Sequence, residues 1–472
     1  MKNKILSLPA LTVLAAAVLL AACAPIPKLA EPAQPIAAEQ AGLRAGASAE
    51  LNAEWWTAFK DPQLNALIER ALAESPSLAA ARARVARANA GIEGARAKDM
   101  PVVGAQLDVQ RTLLTENYIY PPPLGGSVIT TGNLQAGISY DWDFFGKHKA
   151  ELNAALGSAR AAQADAAAAR LMLSAQVARA YLTLGRVLAQ QELLKSQLAD
   201  REQAVALVRE RTHAGLDNTA DLRGAEAPVP ELRRQLVSLG EQAGLLRNQL
   251  AALSAQPMDA VASLSPRLPD SIALTSQNAL TLDLLGRRPD VVAARWRVEA
   301  AAQQVKVNRA QFYPDLTLSA FVGFNAIGLD KLLNSGSQQW GFGPSLRLPL
   351  FDTGALTAQL KGSAAEADAA VASYNGAVFE AVRDASDQLT TLQSLQGQQT
   401  EQQIALNTAE SAYKLAEQRY AAGLGNRLPV LAAHGNVLNQ QRQALDLRGL
   451  QLESQVGLMR SLGGGWTDTA QR

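Results

Sequence analysis

Few residues of this chain are of the types that build disulfides, metal centres or aromatic cores. The 472 residues include one cysteine and three histidines, and aromatic residues make up 5% of them. A single cysteine, Cys23, excludes an intrachain disulfide. The histidines, His148, His213 and His434, are scattered without the short spacing of zinc ligands. We therefore predict no metal site, and no Ser/His/Asp arrangement stands out either.

Charge is also scarce and balanced. Charged residues make up 18% of the chain and the formal net charge is +1. No strong basic field is available to neutralise phosphates, which argues against a nucleic-acid partner. The phosphate-cradling Gly-Lys-Ser/Thr signature is missing, which argues against ATP use. The glycine run 463–465 follows a helical pattern, and we predict that it caps a helix or forms a turn.

The first residues have the pattern of a secretory signal peptide, predicted here over 1–22. A basic start is followed by the apolar run 5–20, which is shorter than a membrane-spanning helix usually requires. The run ends in "LAAC", which resembles a bacterial lipobox and implies cleavage before Cys23, with a diacylglycerol and an N-acyl chain on that residue. The alternative is an ordinary signal with an incidental cysteine. Residues 23–50 are rich in proline and predict an extended, lipid-anchored linker.

The body of the chain is a tandem duplication. Three landmarks recur at a spacing of 206 to 213 residues: segment 75–101 with 288–314, Phe145 with Phe351, and the Ala-Gly-Leu-x-Asn motif at Gly215 with that at Gly423. Each half has the order helix, alternating segment, very long helix, break and helix. We therefore predict a first repeat over 51–257, a connector over 258–287, a second repeat over 288–465 and a C-terminal tail over 466–472.

The two longest helical runs are predicted roughly at 147–211 and 355–421, in a sequence rich in helix-forming residues. A helix of that length spans on the order of 100 Å, whereas globular helices usually have about 8–20 residues. Apolar residues recur at heptad spacing in the first run, which favours coiled-coil packing over one buried helix of a large core. They include Leu173, Val177, Ala180, Leu184 and Val187.

Two segments of alternating polarity predict β-hairpins, at about 102–145 and 315–351. Each strand is about ten residues long, which is the length of a tilted transmembrane strand, although a half-buried soluble sheet has the same pattern. Four membrane strands cannot close a barrel, because about eight is the smallest number seen. If these are membrane strands, other copies of the chain must complete the barrel, since an open edge is not viable in lipid.

The order of these landmarks resembles the TolC/OprM-type outer-membrane efflux channel family, in its lipoprotein (NodT-like) branch. The resemblance covers nearly all of the chain after the predicted signal peptide. The segments that carry it are "EWWTAFKDPQLNALI" (54–68), "GRRPDVVAARWRVEAA" (286–301), "YPDLTLSA" (313–320), "LPLFDTGALTAQL" (348–360), "EQRYAAGL" (417–424) and "LGGGW" (462–466).

This resemblance implies an α+β membrane protein in which three chains form a twelve-stranded barrel, four strands from each, continued by a long periplasmic α-helical barrel. An equatorial belt is expected from 51–70, 258–285 and the C-terminal tail. The implied function is a passive exit duct in the outer membrane of a Gram-negative bacterium, without enzymatic activity. Its implied partners are a periplasmic adaptor and an inner-membrane transporter, expected to be proton-driven, that exports drugs or other small molecules.

By the same resemblance, the breaks at Gly215 and Gly423 are the tips of two helical hairpins where the adaptor docks. Glycine suits the turn because it tolerates positive φ. Leu216 and Leu424 would then be exposed apolar residues that need a partner. The alternative is helix-turn chemistry without any contact role.

The predicted pore lining is the polar strand face, with Asp108, Asp141, Asp143 and Arg347 as candidates. For the periplasmic gate this chain departs from the family, because many members have aspartates after the second tip where this chain has Pro429 and Ala432. The remaining candidates for the gate region are Asp217, Asp221 and Arg427. We interpret His434 as a solvated helix histidine rather than a pH sensor.

Two other functions remain open at this point. One is the exit duct of a protein secretion system, which the same architecture serves. The other is a lipoprotein coiled-coil scaffold without a pore, which predicts no conductance in planar bilayers and no heat-resistant trimer.

Overall fold

The computed structural model describes residues 26–37, 40–42, 52–117, 119–269, 286–349 and 352–467. The predicted signal peptide, Cys23, Phe351, most of the connector and the last residues of the tail lie outside this part. The chain divides into two compact units, and each takes segments from both repeats. The first, here the sheet unit, consists of Met1–Pro35, Val85–Ala161 and Ala294–Tyr374; the second, here the helical unit, consists of Ile36–Arg84, Ala162–Ala293 and Asn375–Arg472.

Helices make up most of the described chain. In order they are α1 (Pro62–Glu74), α2 (Pro76–Ala97), α3 (Lys147–His213), α4 (Thr219–Glu226), α5 (Pro228–Leu253), α6 (Pro289–Ala310), α7 (Thr353–Ala421) and α8 (Leu428–Ser461). The two predicted long runs are single helices, α3 with 67 residues and α7 with 69. Among the described residues, no helix is both long and apolar enough to cross a membrane.

The core of the helical unit is built around a short 3₁₀ helix, Trp55–Phe59, at the start of the first repeat. Trp55 and Trp56 are buried and meet edge to face, with their ring centroids 5.8 Å apart. Asp61 caps α1 by accepting hydrogen bonds from the backbone N–H of Gln63 and Leu64. The hydroxyl of buried Tyr181 on α3 donates to the same carboxylate at 2.8 Å. This polar contact and the apolar packing together hold α1 on α3.

In the same unit, α3 and α8 pack antiparallel along a series of polar contacts. The Thr183 hydroxyl donates to Glu453 at 3.0 Å, and Gln190 donates to Asp446. Gly449 lies beneath the Arg186 side chain, and Gly457 lies beneath those of Gln388 and Arg179, so a Cβ atom at either glycine would meet these side chains. Small residues on α8 therefore let long charged side chains of α3 lie across it.

The four strands form one antiparallel sheet in the order β1-β2-β3-β4. They are β1 (Val102–Leu113), β2 (Val128–Trp142), β3 (Asp315–Ile327) and β4 (Gln338–Arg347), and they lie in the sheet unit. β2 of the first repeat pairs with β3 of the second, so the two hairpins form one continuous surface. Among the described residues of this chain, nothing pairs with the outer edges of β1 and β4.

Candidate functional site

One face of the sheet is polar. The register pairs Asp108 with Asn133, Asn133 with Asn325, and Asp315 with Arg347. Since residues paired across strands share a face, Asp108, Asp141 and Arg347 lie on the same side. The polar residues that join them there are Gln106, Gln110, Thr131, Gln135, Ser139, Thr317, Ser319, Gln339 and Ser345.

Hydrogen bonds across the strands order this polar face. The hydroxyl of Thr317 donates to Asp141 Oδ1 at 2.6 Å, and Gln339 Nε2 donates to Asn133 Oδ1 at 2.7 Å. Three of the four predicted pore residues are therefore on one hydrophilic surface, with two carboxylates and one guanidinium.

The opposite face of the sheet is apolar and unburied in the single chain. Trp340 and Phe342 are 73% and 78% exposed, and their rings stack with centroids 6.3 Å apart. Other exposed apolar residues on this face include Val103, Leu107, Val109, Ile138, Trp142, Leu318, Val322 and Leu346. An apolar surface of this extent needs apolar surroundings.

Asp143, the fourth predicted pore residue, is placed differently, because β2 ends one residue earlier at Trp142. Its Oδ2 accepts a hydrogen bond from the backbone N–H of Lys149 at 3.0 Å, in the first turn of α3. Phe144 stacks on Trp142 with ring centroids 5.4 Å apart. The alternating pattern of the sequence continues past the strand, so it could not separate a strand residue from a helix cap.

The two tips have the same backbone geometry. Gly215 and Gly423 have φ of 74° and 73°. The N–H of Gly215 donates to the Thr212 carbonyl at 3.0 Å, and the N–H of Leu216 donates to the Arg211 carbonyl at 2.9 Å. The second tip repeats both bonds, from Gly423 to Tyr420 and from Leu424 to Arg419, each at 2.9 Å. These are the paired bonds of a Schellman motif, which ends a helix with a left-handed glycine.

No described residue of the chain covers the tips. Leu216 is 68% exposed and Leu424 is 70% exposed. No described atom lies within 4 Å of the position that a Cβ would take on Gly215 or Gly423. Glycine is therefore required at these two positions because of the positive φ and not because of close packing. The leucines beside the glycines are exposed to solvent.

The candidates for the gate region at the first tip have local partners. Arg211 donates to both carboxylate oxygens of Asp217 at 2.8 Å, and this hydrogen bond holds the pKa of Asp217 below its usual range. Asn218 caps α4: its side chain accepts from the Asp221 backbone N–H at 3.0 Å, while the Asp221 carboxylate accepts from the Asn218 N–H at 3.1 Å. Both acids therefore also shape the turn.

The second tip lacks this capping arrangement for a chemical reason. Pro429 stands where the first repeat has Asp221, and proline has neither the N–H nor the carboxylate that a capping box needs. Asn426 instead accepts a hydrogen bond from the backbone N–H of Leu428 at 3.1 Å. Arg427 precedes α8, is exposed and makes no side-chain cap.

The interpretation of His434 as a solvated histidine is wrong. Its Nδ1 lies 2.5 Å from Asp200 Oδ2 on α3, and its ring lies 4.9 Å from that of Tyr413 on α7. Its side chain is 33% exposed. The sequence contains no local signal for this contact, because the three residues come from three separate helices. No cluster of metal-ligating side chains occurs in the part of the chain that the structure describes.

Comparison with known proteins decides the family. The model of the family described as "Outer membrane efflux protein" matches residues 67–256 and 280–464, which together exceed half of the chain. The chain belongs to the outer membrane efflux protein family. The two matched stretches correspond closely to the two predicted repeats, and the predicted resemblance is confirmed.

Named relatives support this assignment over nearly the full length. The multidrug resistance outer membrane protein MdtP of Escherichia coli (strain K12) is 32% identical over 467 residues, 96% of each chain. The pyoverdine export outer membrane protein OpmQ of Pseudomonas aeruginosa is 32% identical over 476 residues, 99% of each chain. The solved structure of the outer membrane protein VceC from Vibrio cholerae has a TM-score of 0.80 and 38% identity, and the match covers 88% of this chain and 99% of that one.

These comparisons confirm the predicted fold class, in which one four-stranded sheet is combined with very long helices, and the predicted outer-membrane location. The lipid on Cys23 stays a prediction, as do the roles of individual site residues.

Proposed function

We propose that three copies of this chain form a passive exit duct for drugs or other small molecules across the outer membrane. The observation that carries the proposal is a sheet with one polar and one apolar face, whose two outer edges pair with no described residue of the chain. Four strands from each of three copies would give a twelve-stranded barrel, which has no unpaired edge. The apolar face would meet lipid, and the polar face with Asp108, Asp141 and Arg347 would line the water-filled interior.

The tips are the proposed docking sites for a periplasmic adaptor. Leu216 and Leu424 are exposed side chains held at rigid turns, and three chains would present six of them. An adaptor that buries them would link the duct to an inner-membrane transporter, here proposed to be proton-driven. In the gate region, Asp217 and Asp221 belong to the first tip and Arg427 to the second. Cys23 is the proposed lipid attachment site.

The cargo is proposed to be small organic molecules. Relatives of this chain are named for multidrug resistance, pyoverdine export and fusaric acid resistance. Because the duct is passive, we expect the transporter rather than the duct to select the cargo.

The test begins with single-channel recording of the purified protein in planar bilayers. We expect stable currents, and Asp108→Asn combined with Asp141→Asn should lower the preference for cations over anions, since two carboxylates leave the polar face. Trp340→Phe on the apolar face is the control and should leave ion selectivity unchanged. A complete lack of conductance in correctly folded protein would refute the duct and favour a scaffold.

The cellular test is deletion of the gene, followed by growth on a panel of antibiotics and aromatic acids. Increased susceptibility that is restored by the wild-type gene, but not by a variant without the two tip leucines, would support the adaptor-linked duct. Unchanged susceptibility to every compound would count against small-molecule efflux.

A further inference from the structure

A basic cleft lies in the sheet unit, next to the point where β2 passes into α3. It has a volume of about 380 Å³ and is lined by residues of the first turns of α3 and the last turns of α6. Its cationic residues are Lys149 on α3 with Lys306 and Arg309 on α6, and no carboxylate lines it. The polar amides Asn153 and Gln303 complete the wall.

The cleft exists because α3 and α6 are in contact further from the sheet and leave a gap at the end nearest the sheet. Arg160 of α3 lies over the Trp296 ring of α6, 4.4 Å from its centroid. A Cβ on Gly157 would lie 3.1 Å from Ala300 Cβ, so the helices are in close contact there. Towards the sheet, α3 and α6 face each other with long polar side chains instead of small ones, and the gap between the two helices opens.

Aromatic rings border the end of the cleft nearest the sheet. Phe145 and Tyr313 stack with centroids 4.6 Å apart and an interplanar angle of 9°. Beyond them, Trp142 and Phe144 are 52% and 61% exposed. Aromatic residues concentrate at the boundary between lipid and water in membrane barrels. The cleft therefore adjoins the kind of surface that meets lipid headgroups.

The three cationic side chains have no acidic partner in the part of the chain that the structure describes. The side chains of Lys149, Lys306 and Arg309 form no hydrogen bond or ion pair with any residue in the described ranges. The nearby Glu151 is engaged by Lys98 at 2.9 Å. Three positive charges converging on one cavity repel each other, and an anion in the cavity would relieve this repulsion.

The first repeat offers an internal comparison. In the ungapped alignment of 75–101 with 288–314, Lys306 corresponds to Glu93 and Arg309 to Arg96. Glu93 and Arg96 pair with each other at 3.0 Å, so the first copy neutralises its arginine within the helix. An arginine at this position without an acidic partner is therefore found in the second repeat only, and the general architecture does not require it.

We propose that this cleft binds the phosphate of an anionic phospholipid headgroup at the periplasmic boundary of the membrane. The phosphate would accept hydrogen bonds from Lys149, Lys306 and Arg309, and the acyl chains would extend past the aromatic rings onto the apolar sheet face. Basic pockets between helices at a membrane surface bind such headgroups. The choice of a lipid rests on the proposed function, because that function places the sheet in a membrane.

The experiment is native mass spectrometry of the full-length protein in detergent, with phosphatidylglycerol, phosphatidylethanolamine or glycerol 1-phosphate added. We expect wild-type protein to retain phosphatidylglycerol selectively. Replacing all three cations by glutamine should weaken this binding by about tenfold or more, because charge-assisted hydrogen bonds are lost. Lys306→Glu, which copies the first repeat, should weaken it as well, and Lys361→Gln, an exposed lysine outside the cleft, should not.

Further measurements distinguish the possible outcomes. The thermal unfolding midpoint of the triple variant should not fall, since removing three unpaired like charges leaves no partner unsatisfied. Equal phosphatidylglycerol retention by wild type and triple variant would overturn the site. Binding of glycerol 1-phosphate with the same residue dependence and equal strength would overturn the lipid assignment in favour of a solute. Conductance recorded in bilayers without anionic lipid tests the duct independently of all these results.

Discussion

Two glycines allow two contributions to the free energy of unfolding to be separated: the cost of a positive φ and the cost of close packing around a Cβ. Gly423 at the second tip has φ of 73°, and Gly463 at the end of α8 has φ of 87°. Both end a helix with the same bond pattern, since the N–H of Gly464 donates to the Met459 carbonyl and that of Gly463 to the Arg460 carbonyl. They differ in their surroundings. A Cβ on Gly423 meets open space, whereas one on Gly463 would collide with the Arg287 carbonyl and lie 2.7 Å from its carbon.

The expected magnitudes follow from these surroundings. Alanine at 423 should destabilise the fold by about 1–2 kcal/mol, which is the cost of the left-handed backbone for a residue with a Cβ. Alanine at 463 adds a clash with backbone, which cannot rotate away as a side chain can. Forced overpacking costs about 1–3 kcal/mol, so the total at 463 should be roughly 2–5 kcal/mol.

The assay is thermal unfolding of the purified wild type, Gly423→Ala and Gly463→Ala at one scan rate, because large membrane proteins often unfold irreversibly. Gly91→Ala is the control: Gly91 lies within α2 without positive φ, and a Cβ there meets nothing within 4 Å. We expect it to be neutral or stabilising, since alanine favours a helix over glycine. Equal midpoint shifts for the variants at 423 and 463 would refute the separation of the two costs.

Three other predictions concern the tips and the helix contacts. Leu424→Asp should weaken adaptor crosslinking while leaving the heat-resistant oligomer intact, and normal crosslinking would contradict a docking role. Because the folded-state pKa of Asp217 is lowered by Arg211, their ion pair should contribute stability above the unfolded-state pKa and lose it as pH falls through the lowered one. Asp217→Asn should therefore show a smaller loss in unfolding midpoint between pH 6 and 3 than wild type. Gly457→Leu should destabilise the helical unit by about 1–3 kcal/mol, since its Cβ would collide with Gln388 Oε1 on α7 and lie 2.9 Å from Arg179 Nη2 on α3; an unchanged midpoint would show that these two side chains move aside.

The elements with regular periodicity could be predicted from sequence. Heptad spacing and helix-forming composition predicted 147–211, and α3 ends two residues later at His213. Period-two alternation placed both hairpins, because a strand that separates water from an apolar phase must alternate along its whole length. The glycine run 463–465 was predicted as a cap or turn, and all three residues have positive φ at the end of α8.

Contacts between distant helices could not be predicted in this way. The Asp200–His434 contact joins helices more than two hundred residues apart in sequence, and one heptad pattern does not say which partner each face meets. The basic cleft depends on the register of α3 against α6, which Gly157 and Ala300 set by their small size. The end of β2 just before Asp143 could not be predicted for a local reason, because alternation does not show where a strand stops.

The duplication shows which features the fold requires and which remain free to change. Both tips keep the glycine, the two Schellman bonds and an exposed leucine, since one backbone path needs the same left-handed residue in each copy. Side chains beyond that turn differ: Asp221 completes a capping box in one copy, and Pro429 makes one impossible in the other. An adaptor that contacts only the turns would have two equivalent binding sites in each chain. An adaptor that also contacts the charged residues around Asp217 would have one, at the first tip. Loss of adaptor crosslinking from Leu216→Asp equal to that from Leu424→Asp would favour the first arrangement, and unequal loss the second.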